Sequence, residues 1–351
     1  MRKLAVSKIS CVDLFCGAGG LTHGFFLEGI PVVAGIDMDP ACRFPYESNN
    51  SARFIERDIS TVSPADLRKL FGEADIRILA GCAPCQPFSI YTQRYSPNGD
   101  GKWGLLYEFA RLAKATRPDV ITMENVPTVS RHAVFHDFVA TLKRLDYHVW
   151  YDIVDSSQYG VPQMRRRMVL LASIHSEIRI IKPTHVHPKT VRQTIGRLRP
   201  LSAGEAAPRD KLHVTATLSK KNLLRVRVSK AGGSWRDWPK HLVAECHRGE
   251  SGRTYPSVYG RMQWDKPAPT MTTQCFGFGN GRFGHPEQDR AISLREAAIL
   301  QSFPRDYAFV PAGGEVNFKL LGRLIGNAVP VDLGRAIARS IKAHLASVTV
   351  R

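Results

Sequence analysis

The 351-residue sequence predicts an α/β protein, a doubly wound, mostly parallel, Rossmann-like sheet into which a smaller, mostly irregular and β domain is inserted. Three observations carry that expectation. Short apolar runs alternate with helical patterns between residues 9 and 172, the alternation stops after Ser173, and helical periodicity returns at 294–303 and 331–345. Residues 182–284 in between are rich in Pro, Gly, Arg and His, with short β-like pieces such as 223–228 and no long amphipathic helix. The expected domains are 1–181, an insertion over 182–289, and 290–351 returning to complete the first domain.

Each element has a local reason. Residues 9–15 read as a buried strand, 21–29 as a helix, 32–37 as a strand, and 64–71 as a helix with Ser63 as N-cap. Residues 76–80 form the next strand, and Leu105, Phe109 and Leu112 fall on one helical face. A strand at 120–123, a helix at 134–145 and strands at 149–154 and 168–172 follow. In the last helix Leu333, Ile337 and Ile341 repeat every four residues along one stripe.

Composition narrows the function. Hydrophobic residues at 43% and charged residues at 23% exclude a disordered, collagen-like or coiled-coil chain. No run approaches the roughly 18 apolar residues of a membrane span, and no signal segment opens the chain, so a cytoplasmic protein away from membranes is expected. Forty-nine Lys and Arg against 31 Asp and Glu give a net charge of +18. Between Arg165 and Arg261 stand 21 basic and 6 acidic residues, so most of the excess lies in one region. A generally solvated basic surface would spread that excess, whereas a polyanion-binding face concentrates it. The seven cysteines are odd in number and unevenly spaced, which argues for thiols. Cys82 and Cys85 form a C-x-x-C pair with no second pair or histidines at finger spacing, so no metal is expected.

The chemistry-bearing residues cluster at predicted strand ends. Asp13-Leu14-Phe15-Cys16-Gly17-Ala18-Gly19-Gly20 makes a glycine-rich turn from the first strand into the first helix, and Asp37 closes the second strand 20 residues after Gly17. Together they suit an adenine nucleoside, although an ordinary tight turn accounts equally well for the glycines alone. Gly81-Cys82-Ala83-Pro84-Cys85-Gln86-Pro87-Phe88-Ser89 follows another strand and runs into a Gly, Pro, Ser and Asn-rich loop. Met123-Glu124-Asn125-Val126 ends the next one, so that Cys85 and Glu124 can face one cleft. Taken singly, each has a plainer reading, a core thiol and a solvated acid.

These motifs, with Gln158-Tyr159-Gly160-Val161-Pro162-Gln163-Met164-Arg165-Arg166-Arg167, the stretch 290–304 and Gly326-Asn327-Ala328-Val329-Pro330, resemble in order and spacing those of the cytosine carbon-5 DNA methyltransferases, of the bacterial restriction-modification type. The resemblance spans nearly the whole chain. It departs where Asp37 replaces the family's usual Glu and Arg57-Asp58 its usual Gly-Asp, and both departures keep an acid.

The resemblance implies methyl transfer from S-adenosylmethionine, leaving S-adenosylhomocysteine, to carbon 5 of a cytosine rotated out of double-stranded DNA. It makes Cys85 the nucleophile, Glu124 the acid at ring nitrogen 3, Arg167 the contact to oxygen 2 and Arg165 an ordering residue, with Arg166 facing away. It assigns the donor to Phe15, Cys16, Gly17, Gly19, Asp37, Met38, Asp58, Ile59, Pro84, Leu105, Asn327 and Val329. The basic insertion becomes the target-recognition domain, and Gln86, Ser89, Tyr91, Arg253, Arg261, Thr270, Thr272 and Arg282 become DNA contacts, most basic side chains meeting phosphate. A monomer with a cognate restriction endonuclease as partner follows from family habit. Rival readings are an RNA cytosine methyltransferase, a catalytically silent DNA-binding homologue and a redox protein built on Cys82 and Cys85.

Overall fold

The structure, a computed structural model, describes residues 8–84, 104–249, 252 and 254–349. Its principal sheet has seven strands: β1 (Ile9–Leu14), β2 (Val32–Asp37), β3 (Arg53–Glu56), β4 (Ile76–Gly81), β5 (Val120–Asn125), β6 (His148–Asp155) and β7 (Arg166–Ser173). Their order is β3-β2-β1-β4-β5-β7-β6, parallel from β3 through β5, with β7 antiparallel to β5 and to β6. This is the expected mostly parallel, Rossmann-like α/β sheet. The central strands are buried on both faces and therefore read as continuous apolar runs.

The chain divides into two compact units, one of residues 1–156, 166–183 and 331–351, the other of 157–165 and 184–330. The second unit thus runs past the expected end at residue 289, because 290–330 packs within it, and only the last helix returns to the sheet. That helix, Val331–Thr349, is tied to the first unit by Arg335 Nε on Glu28 Oε1 at 2.7 Å and by His344 Nε2 on Ser173 Oγ at 2.7 Å. Helix Pro64–Phe71 starts where Ser63 predicts, with Pro64 at its first position and a reciprocal capping box between Ser63 and Asp66. Helices Gly104–Thr116 and Ala133–Arg144 bury Leu106, Phe109, Leu112, Phe135 and Phe138 against the sheet.

The second unit corrects the expectation of irregular and β structure. Among the described residues its strands are limited to the short pair β8 (Ala206–Ala207) and β9 (Asp210–Val214), whereas residues 223–228, expected to be β-like, lie in helix Lys220–Val228. Ser219 starts that helix by accepting from Asn222 N, and Val226 packs into a small core with Trp235, Trp238, Leu242 and Phe278. Helices Val191–Ile195, Leu294–Leu300 and Phe318–Asn327 complete the unit's α content among the described residues. Helix Leu294–Leu300 stops three residues before the expected end at Phe303. No helix among the described residues is long and apolar enough to cross a membrane.

Candidate active site

Five parallel strands end at one edge of the sheet, and the glycine-rich turn sits on the first of them. Phe15, Gly17 and Gly19 adopt φ values of 58°, 52° and 88°, carrying the chain from β1 to the N-terminus of helix Gly20–Leu27. Among the described residues, chain neighbours aside, no atom lies within 4 Å of where a Cβ on Gly17 would stand, so backbone conformation, not crowding, demands glycine there. Gly17 N donates to Asp37 Oδ2 at 2.9 Å and Asp39 N to Asp37 Oδ1 at 3.0 Å. Burial raises the Asp37 carboxyl above the usual carboxylate range, against the pull of these backbone donors. Beneath the turn, Asp13 accepts from Thr22 Oγ1 at 2.7 Å, and burial, with the Asp37 charge adding, pushes it up to about 7.

The other expected donor-binding residues of the first unit occupy the same edge. Asp58 is exposed and accepts from Ser60 N and Ser60 Oγ, both at 2.9 Å, while Ile59 is buried behind it. Met38 projects into solvent, Leu105 is half-buried, and Cys16 is buried with its thiol pushed up by burial. Pro84 is exposed; Cys85, Gln86, Ser89, Tyr91 and Arg253 lie outside the described residues.

A buried acid stands two strands away from the turn. Glu124, at the end of β5 and only 3% exposed, has Oε1 at 2.9 Å from Arg167 Nε and Oε2 accepting from Cys82 Sγ at 3.0 Å. The arginine contact is ionic, without the alignment of a hydrogen bond. Register explains the meeting: Gly81 of β4 lies beside Met123, and β7, running antiparallel, brings its first residues to the end where β5 finishes. Asn125 Nδ2 donates to Ala83 O at 3.1 Å and holds the segment after β4 against β5. Arg166 is exposed, as alternation requires. A carboxyl between a guanidinium and a thiol, shut from water, can hold or deliver a proton to a flat polar ring.

The second unit has its own knot of polar contacts. Arg165, 3% exposed, donates through Nη1 to Met271 O at 3.1 Å and through Nη2 to Ala328 O at 3.3 Å. Gln163 donates to Leu300 O at 2.8 Å and to Gln301 Oε1 at 2.7 Å, and accepts from Met271 N at 2.9 Å. Gln301 passes the connection to Ile325 O at 2.7 Å. Thr270 donates to Met164 O, Thr272 is exposed, Arg282 is half-buried, Asn327 is exposed and Val329 is buried.

Arg261 is corrected. Expected on DNA, it is 4% exposed and spends its guanidinium on Val226 O, His285 O, Gln288 O and Asp289 Oδ1, all between 2.6 and 3.0 Å. No donor is left to reach a phosphate. The sequence reading missed Cys82 as a partner of Glu124, and gave Gln163 and Gln301 no role. Only the equal spacing of Gln163, Arg165 and Arg167 on an extended segment hinted that the glutamine shares their task.

Comparison with known proteins gives the family of the chain. Residues 9–343 match the family model of the C-5 cytosine-specific DNA methylases. The Type II methylase M.HgiDII of Herpetosiphon aurantiacus is 55% identical over 339 residues, 95% of each chain. The Type II methyltransferase M1.HphI of Haemophilus parahaemolyticus is 30% identical over 340 residues, 95% of this chain and 87% of the relative. Among solved structures, a protein assigned as a DNA modification methyltransferase encoded within an E. coli prophage superposes with a TM-score of 0.74 at 19% identity, over 96% of this chain and 99% of that one. The chain belongs to the C-5 cytosine-specific DNA methylase family.

Proposed function

We propose that the protein methylates carbon 5 of a cytosine within a specific duplex DNA sequence, with S-adenosylmethionine as donor, as the modification arm of a restriction-modification pair in the cytoplasm. The single observation that carries the mechanism is the burial of Glu124 at a sheet edge between Arg167 and Cys82, the latter three residues upstream of Cys85.

The donor fits the sheet edge. Gly17 puts no side chain above the turn, Asp37 is locked where a ribose can meet its carboxyl, and acids at the ends of β2 and after β3 suit a cationic sulfonium. Phe15, Asp37, Met38 and Asp58 would hold the adenosine. When bound, S-adenosylmethionine supplies an electrophilic methyl group to carbon 5.

The protein's own groups prepare the ring. Cytosine carbon 5 is a poor nucleophile, so the Cys85 thiolate adds to carbon 6 and converts the ring into an enamine. Glu124 takes up the proton that the thiol loses, passes it to ring nitrogen 3 and accepts from the exocyclic amine, while Arg167 donates to oxygen 2. After methylation ring nitrogen 3 returns its proton to Glu124, a base removes the carbon 5 proton, the carbon–sulfur bond breaks, and the thiolate is regenerated. Rotating the cytosine out of the helix costs a few kcal/mol, offset by these contacts. Asn327 and Val329 are assigned to the donor, and Thr270, Thr272 and Arg282 to the DNA.

The test is covalent capture. A duplex carrying 5-fluorocytosine in the target sequence, incubated with S-adenosylmethionine, should yield a denaturant-stable complex with the native enzyme and none with Cys85→Ser. The same variant should also lose nearly all turnover while still binding DNA. Wild-type turnover by the Cys85→Ser enzyme would refute the nucleophile assignment.

A further inference from the structure

Helix Lys220–Val228 turns toward solvent a face that its own unit leaves uncovered. Lys220, Lys221, Leu224, Arg227 and Val228 are exposed and fall on one side, while Arg225 and Val226 are buried on the other. The exposed face carries three cations and two apolar side chains, Leu224 at 51% and Val228 at 40% exposure, and the helix contains no acid.

The helix is held rigidly from behind. Arg225 Nε donates to Leu242 O at 2.8 Å, and its guanidinium lies over the rings of Trp238 at 5.4 Å and Tyr259 at 5.6 Å. Arg261 caps the last turn, with Nε and Nη2 on Val226 O at 3.0 and 2.8 Å. Asp289 pairs with Arg261 at 2.6 Å and with Arg227 at 3.3 Å, which ties one exposed cation to the same support. A buried arginine spent on fixing a short helix makes sense where the direction of that helix matters.

We propose that this face enters the major groove of duplex DNA, with Lys220 and Lys221 on phosphates and Leu224 and Val228 against base edges; the proposal rests on the enzyme's being a DNA methyltransferase. Nine residues rise about 13 Å, and a groove about 12 Å wide admits such a helix. The two lysines of the face, beside an Arg227 shared with Asp289, select a polyanion, and its apolar pair matches a thymine methyl, the one apolar group that the groove displays.

Two full-length variants, Lys220→Ala/Lys221→Ala and Leu224→Ser/Val228→Ser, test it. Every substituted residue is exposed, so melting temperatures should match the wild type. Plasmid DNA methylated by each protein is read by bisulfite sequencing, and duplex binding is titrated against salt. The lysine pair should keep the methylated sequence and lower the log–log salt slope by about 2. The apolar pair should keep the slope and raise methylation of singly altered sites about 10-fold relative to the wild type. Wild-type slope and sequence in both variants would overturn the proposal and leave the helix to a protein partner. A wild-type enzyme that methylates no duplex cytosine would instead overturn the functional reading, and the groove assignment with it.

Discussion

Arg167 and Glu124 meet as an ion pair, Nε to Oε1 at 2.9 Å, although 43 positions separate them in the chain. They meet because β7 folds back antiparallel beside β5, so that the start of one strand lies against the end of the other. The pair is nearly closed to solvent, with side-chain exposures of 13% and 3%, and removing either partner leaves the other buried and uncompensated.

Glu124→Gln keeps the shape and one acceptor but cannot deliver a proton. Single-turnover methylation should slow by about 10² to 10⁴-fold, the usual range for loss of a general acid, while DNA binding changes little. Thermal unfolding measured beside the rate separates chemistry from folding. A well-folded variant with an unaltered rate would remove Glu124 from the mechanism.

Gly326→Ala should damage the site without touching a reacting group. A Cβ there would stand 2.3 Å from the carbonyl carbon and oxygen of Thr272 and 2.5 Å from Thr273 N, all backbone atoms unable to swing aside. Overpacking of this kind costs about 1–3 kcal/mol. The melting temperature should fall, and Met271 O, the acceptor for Arg165, should shift with the displaced segment. An alanine variant with wild-type stability and turnover would show that the segment yields freely.

What could be read from the sequence was what local rules decide. Helix Pro64–Phe71 was legible because Ser63, Pro64 and Asp66 are its start signals in a row. Glu124 and Asp37 were legible as strand ends, since buried parallel strands are runs of apolar residues that stop at the functional edge. Helix Lys220–Val228 was misread because Leu224, Val226 and Val228 alternate with Arg225 and Arg227 in the two-residue period of a strand. Its helical state is settled by Ser219 and by the distant Arg261. Arg261 was misassigned for the related reason that charge says nothing about burial. Cys82 could not be found at all, because its meeting with Glu124 depends on the register between β4 and β5.

Asp13 makes stability depend on pH. Its folded carboxyl, fully buried, is raised from 3.8 to about 7, so the native state holds the proton more tightly than the unfolded chain does. That contribution is fully present below about pH 4 and is lost as pH rises to about 7, an effect on the order of 4 kcal/mol. Asp13→Asn removes the titrating group while keeping an acceptor for Thr22 Oγ1. The melting temperature of the variant relative to the wild type should therefore climb between pH 5 and pH 8 and level off above. A difference that stays constant across that range would mean Asp13 remains ionised throughout.

Gln301 is the joint on which Arg165 depends. Its amide accepts from Gln163 Nε2 at 2.7 Å and donates to Ile325 O at 2.7 Å, and Gln163 in turn accepts from the N–H of Met271, whose carbonyl receives Arg165. Gln301→Ala leaves Ile325 O and a Gln163 N–H without these partners in a fully buried place, each costing about 1–3 kcal/mol. Gln301→Glu keeps the acceptor for Gln163 but replaces the donor toward Ile325 O with an oxygen, so it should lose about as much stability near neutral pH. It should recover part of that loss in acid, where a protonated carboxyl can donate again. If the knot only stabilises the fold, turnover per folded molecule should be normal in both variants. If it also sets Arg165, the turnover of the folded fraction should fall by about tenfold or more in Gln301→Ala, as expected when a site loses its positioning. Recovery of that rate by Gln301→Glu in acid, measured as single-turnover methylation at matched folded fractions, would tie the effect to the hydrogen bond and not to lost volume.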